Sequence, residues 1–97
     1  MPEINVSPID VEQLVSRFRV RVADDDGSVT EHDVTLSSAD HERLSRGYPS
    51  PEAFVQACFD FLLERESKES ILGSFDISQI ATYFTEFDRE IAQPPSD

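Results

Sequence analysis

The alternation in "RFRVRV", residues 17–22, constrains this chain more than any other stretch. Phe18, Val20 and Val22 fall on one side of an extended backbone, and Arg17, Arg19 and Arg21 on the other. "TEHDVTL", residues 30–36, repeats the pattern, with His32, Val34 and Leu36 on one face and Glu31, Asp33 and Thr35 on the other. The two strands fit together in one register. Arg21 meets Glu31, Arg19 meets Asp33 and Arg17 meets Thr35, while Phe18 meets Val34 and Val20 meets His32. Such cross-strand pairs contribute about 0.2–1 kcal/mol each. This register leaves Asp25, Asp26 and Gly27 as a three-residue loop, with Gly27 in the left-handed position. A two-residue turn would set Arg19 against His32 and Phe18 against Thr35, and a slip of that kind mixes the faces.

After the hairpin the pattern becomes helical. Ser37 with Asp40 fits a capping box, which predicts a short helix over 38–46, stopped at Gly47. Ser50, Pro51 and Glu52 form a second start signal, and the helix they open runs over 51–66. "SKESILG" predicts one or two helical turns ended by Gly73. Asp76 as cap, with Gln79 at the third helical position, opens a last helix over 77–91. Its Ile77, Ile80, Phe84, Phe87 and Ile91 share one face. Before the hairpin, Pro2 and Pro8 break any early element, and "SPIDVEQLVS" predicts at most a short helical turn. The fold class expected is therefore α+β: an N-terminal antiparallel β-hairpin followed by three to four helices packed on one sheet face. One domain accommodates 97 residues, with an ordered core at about 17–91 and flexible segments at 1–10 and 93–97.

The helix over 51–66 is apolar on most of its circumference. Only Glu52, Gln56, Asp60 and Glu64 form a wet stripe, whereas a surface helix usually buries about 100° or somewhat more. Two arrangements satisfy it. Either the hairpin and the last helix cover the rest, or a strip around Phe54, Phe61 and Leu62 meets a second copy or another protein. Those three are the expected partner-binding residues.

Twenty acids against eight bases give a formal net charge of −12. Nucleic-acid binding draws most of its affinity from Lys and Arg on phosphates, and anionic membranes recruit the same residues. The Arg17–Arg19–Arg21 stripe faces Glu31 and Asp33, which reads as ion pairing across the hairpin. "DDDGSVTEHD" places Asp24, Asp26 and Asp33 near calcium-loop spacing, but strands replace the flanking helices, and a solvated turn is the plainer reading. His32 and His41 have no Cys or carboxylate at metal-ligand spacing. Cys58 lies among Phe54, Val55, Phe59 and Leu62, the setting of a small buried hydrophobe. One cysteine makes no disulfide within the chain. No catalytic residue, cofactor, metal or small-molecule ligand is expected, nor nucleic acid or membrane. No run approaches the ~20 apolar residues that span a bilayer, and "MPEINVSPID" has no signal-peptide character, so a cytoplasmic protein is expected.

The stretch "FDFLLERESKESILGSFDISQIATYF" resembles a family of short bacterial proteins of unknown function that share a "FLLERE.KESIL" core followed by "FD…I..YF". The resemblance implies a bacterial cytosolic protein with a hairpin-plus-helices layout, and no activity. "VTLSSADHERLSRGYPSPEAFVQACFDFLLERE" resembles ribbon-helix-helix antitoxins, which dimerise and of which many are acidic and bind basic toxins. That fold uses one strand per chain, with polar or basic residues toward DNA. Here the strand belongs to a hairpin and carries Glu31 and Asp33. The functions expected are thus a non-enzymatic acidic interaction module, self-associating in one version, or an antitoxin-like regulator of a basic protein.

Overall fold

Strands β2 (Val15–Ala23) and β3 (Val29–Ser37) pair antiparallel in the register that the charges require. Arg21 lies opposite Glu31, Arg19 opposite Asp33, Phe18 opposite Val34 and Val20 opposite His32. Phe18, Val20, Val22, His32, Val34 and Leu36 are all buried, while Arg17, Arg19 and Arg21 are exposed on the far face. The connecting turn is held by Gly27 N–H donating to Asp24 O at 3.0 Å and Asp24 N–H to Ser28 O at 2.9 Å. Gly27 has φ +89°, a value that only glycine adopts without cost. The computed structural model describes residues 3–11, 14–44 and 47–91.

The sheet is wider than the hairpin. It has four strands in the order β1-β2-β3-β4. β1 (Glu3–Val11) lies antiparallel to β2, setting Ile4, Val6 and Pro8 against Val22, Val20 and Phe18. This corrects the expectation of flexibility over 1–10 and of a helical turn in "SPIDVEQLVS", as far as those residues are described. The free edge of β2 offers a full ladder of hydrogen bonds, and Ile4 and Val6 supply the inward side chains. Pro8 is tolerated because β1 is an edge strand, and the register shift between Pro8 and Asp10 follows directly after it. The segment 93–97, expected to be flexible, lies outside the described residues.

Helix α1 (Ser38–Leu44) starts where Ser37 Oγ accepts from Asp40 N–H at 3.1 Å, and Leu44 is its buried anchor. Helix α2 (Pro51–Leu63) starts at Ser50, whose Oγ accepts from Ala53 N–H at 3.1 Å. It ends three residues before the predicted boundary, where Arg65 and Glu66 both donate backbone N–H to Leu62 O at 2.9 Å. A 3-10 turn at Lys68–Ser70 follows. Then comes β4 (Ser74–Asp76), a strand unforeseen in the sequence, parallel to β3 with Phe75 beside Val34.

The single helix predicted over 77–91 is two helices, α3 (Ser78–Tyr83) and α4 (Phe87–Ile91), with Phe84 extended at φ −128° and ψ 95° between them. The expected cap holds. Asp76 Oδ2 accepts from Ser78 N–H at 3.0 Å, and Gln79 Oε1 accepts from Asp76 N–H at 2.8 Å. The break leaves the apolar stripe intact, and Phe87 and Ile91 turn in to be buried while Ile77 and Ile80 stay buried on the other side of it.

All helices pack on one face of the sheet, and α2 is central. Phe59 stacks against His32 with centroids 5.4 Å apart and against Phe75 at 5.9 Å. Phe54 meets the edge of Tyr48 at 5.4 Å, and Phe61 meets Phe84 and Phe87 at 5.9 and 5.1 Å. The excess apolar surface of α2 is therefore covered by its own chain. β3 is paired on both sides at 33–35, so the stretch that resembles a ribbon-helix-helix chain has no free strand edge there for a second copy.

Candidate interaction groove

The three residues expected to bind a partner do not form an exposed strip. Phe54 and Phe61 are buried under Tyr48 and under Phe84 and Phe87, and contribute to the core. Leu62, also buried, reaches one surface feature: it forms part of the wall of an open groove of about 390 Å³.

Three elements converge to make this groove. Leu62 and Glu66 come from the end of α2 and the turn after it, and Ser70, Ile71 and Leu72 from the crossing to the sheet. Phe75 contributes from β4, and Gln79, Ile80, Tyr83 and Phe84 from α3 and the break behind it. The floor is apolar because Ile71, Phe75 and Ile80 are the inward residues of their segments. The walls carry two large exposed apolar side chains, Leu72 with 48% of its surface showing and Tyr83 with 67%, beside the polar Glu66, Ser70 and Gln79. Leu72 is held by its backbone, since its carbonyl lies 2.7 Å from His32 Nδ1. A carbonyl only accepts, so Nδ1 carries the proton. In the neutral ring, Nε2 then accepts from the Thr30 hydroxyl at 2.8 Å. His32 is thus a buried, satisfied histidine that anchors one groove wall. A second groove, of about 330 Å³, lies between Tyr48, Pro49, Ala53, Gln56 and Asp60. Burial, and then the neighbouring Glu64, push the Asp60 carboxyl above its ordinary range.

The chemistry-bearing residues singled out in the sequence are dispersed. Asp24, Asp26 and Asp33 do not converge: Asp24 binds Lys68 at 2.6 Å, Asp26 accepts from Ser28 N–H and Oγ at 2.9 and 2.6 Å, and Asp33 binds Arg19 at 3.1 Å. Arg17 reaches Asp10 of β1 at 3.9 Å. Cys58 is fully buried, and that burial lifts its thiol well above the usual range, away from nucleophilic use. Neither groove is lined by His32, His41 or Cys58. Among the described residues no three His, Cys, Asp or Glu could together hold a metal ion, and no helix is long and apolar enough to cross a membrane.

Two cations close to Glu66 in the chain are held by partners distant in sequence. Lys68 is 3% exposed, and its ammonium satisfies all three donors on Asp24, Ser28 and Glu69 at 2.6, 2.6 and 2.5 Å. Those bonds, Asp24 first, raise its pKa. Arg65 lies over the Phe61 ring at 3.6 Å and binds Glu86 at 3.1 Å and Glu90 at 3.2 Å. A buried lysine has no local sequence signal, because its partners come from the β2–β3 turn. The spacing of Arg65 after Phe61 was the one available hint, since residues four apart meet on a helix face.

Comparison with family models, with curated proteins and with solved structures returned no match.

Proposed function

We propose that the chain is a non-enzymatic interaction module that holds another protein in the groove between α2, β4 and α3. The observation that carries this reading is the pairing of Leu72 and Tyr83. Both are large and exposed, and they form the walls above an otherwise buried apolar floor. Large exposed side chains gathered at one depression mark interaction surfaces more often than scattered ones do. The antitoxin-like reading makes the same use of the surface, with a basic protein as the partner of a chain of charge −12.

A benzophenone amino acid placed at Tyr83, at Leu72, or at Arg19 on the open sheet face tests the proposal in the host cell. The first two positions should cross-link to one common protein, and the third should not. Equal cross-linking from both faces, or none from the groove, would refute it.

A further inference from the structure

Resting on that reading, we propose that the groove selects a partner segment in which a large apolar side chain stands beside a Lys or Arg, with Glu66 reading the positive charge. Glu66 is half-buried in the groove wall. Its carboxylate has no ion pair or side-chain hydrogen bond among the described residues. The cations that could serve it are committed elsewhere. Arg65 is held by Glu86 and Glu90, and Lys68 by Asp24 and Glu69. A carboxylate in the lining of a largely apolar groove, without an ion pair among the described residues, is complementary to a cation brought from outside.

The rest of the groove fits a peptide. Leu72, Tyr83 and the floor at Ile80 offer an apolar seat, and about 390 Å³ lies at the small end of ligand sites. Gln79 uses its Oε1 on Asp76 N–H, which leaves its amide NH₂ to donate to a partner carbonyl. A net charge of −12 draws a basic segment toward this surface and repels a second copy of the chain.

A random peptide library displayed on phage, selected against the full chain and against Glu66→Gln and Leu72→Asp, tests this. The wild type should enrich peptides with a large apolar residue next to Lys or Arg. Glu66→Gln should keep the apolar preference and lose the basic one, and Leu72→Asp should lose both. A synthetic copy of the most enriched peptide should bind about two- to fivefold more weakly when its Lys becomes Met, and this loss should vanish on Glu66→Gln. Apolar peptides that depend on Leu72 but show no basic preference, or a basic preference that survives Glu66→Gln, would overturn this inference and leave the docking groove standing. Binding indifferent to Leu72→Asp would overturn both. So would an empty selection, and if the wild type then sediments as a dimer that Leu72→Asp dissociates, the occupant is a second copy.

Discussion

The Lys68 ammonium lies 2.6 Å from the Asp24 carboxylate although 44 residues separate them in the chain. The contact ties the β2–β3 turn to the 3-10 turn after α2, and Ser28 and Glu69 complete the shell. Removing the buried lysine gives up its three charge-assisted bonds and the packing of its stem, while an apolar stem of similar length preserves the packing. Lys68→Ala is therefore expected to lower the melting temperature by at least several degrees, and Lys68→Met by less. Asp24→Asn, which retains one hydrogen-bond acceptor, should fall between wild type and Lys68→Ala. Thermal unfolding followed by circular dichroism ranks the three, and a Lys68→Ala melt that matches wild type would show the contact to be idle.

The carboxylates predict the response to acid. Hydrogen bonds from Ser28 lower the pKa of Asp26 below its ordinary 3.8, and the bond from Lys68 lowers Glu69 below 4.5. For Asp76, burial pulls the pKa upward, but the bonds from Ser78 and Thr35 outweigh it. Each of these groups is held lower in the folded state than in the unfolded one. Their stabilisation is complete above the ordinary values and lost as pH falls through the folded ones. Urea unfolding should accordingly show stability dropping below about pH 4. Asp60 is shifted the other way, so its ionised form opposes folding at neutral pH. Asp60→Asn should raise the melting temperature slightly at pH 7 and lose that advantage in acid.

Two glycines should respond oppositely to alanine. At Gly27 an added methyl meets nothing within 4 Å, so the cost is purely that of φ +89°. Gly27→Ala is expected to destabilise by about 1–2 kcal/mol, and Gly27→Asn by less. Gly73 also has open space but no positive φ. There Ala removes freedom from the unfolded chain and should stabilise by about 0.4–1 kcal/mol. Chemical denaturation of the three variants gives both signs in one experiment.

The β2–β3 hairpin is legible because its two faces carry independent codes, apolar inward and charged outward, that agree on one register. β1 carries a weak code: Ile4 and Val6 alternate, then Pro8 and Ile9 spoil the pattern. It becomes a strand because β2 has a free edge to offer. The break at Phe84 is invisible for a different reason. Phe84 and Phe87 fall on the same side with or without it, so periodicity continues across a backbone that does not. The groove escapes the sequence because Leu62, Leu72 and Tyr83 lie on separate elements. The surplus apolar surface of α2 points to Phe54, Phe61 and Leu62, of which Tyr48, Phe84 and Phe87 cover the first two and only Leu62 reaches the groove.

Phe59 is the test of that central helix. It is fully buried, with His32 from β3 on one side and Phe75 from β4 on another. Truncation to alanine removes both ring contacts and opens a cavity that the sheet cannot close, which costs about 3–5 kcal/mol. A domain of this size holds roughly 5–15 kcal/mol in all, so Phe59→Ala should remain folded but marginal. Cys58, adjacent in sequence and fully buried, supplies the readout. Its thiol should resist a thiol reagent in the wild type and label only through unfolding, so Phe59→Ala should speed labelling in proportion to the lost stability. Labelling as slow in the variant as in the wild type would mean that the ring carries none of the packing assigned to it.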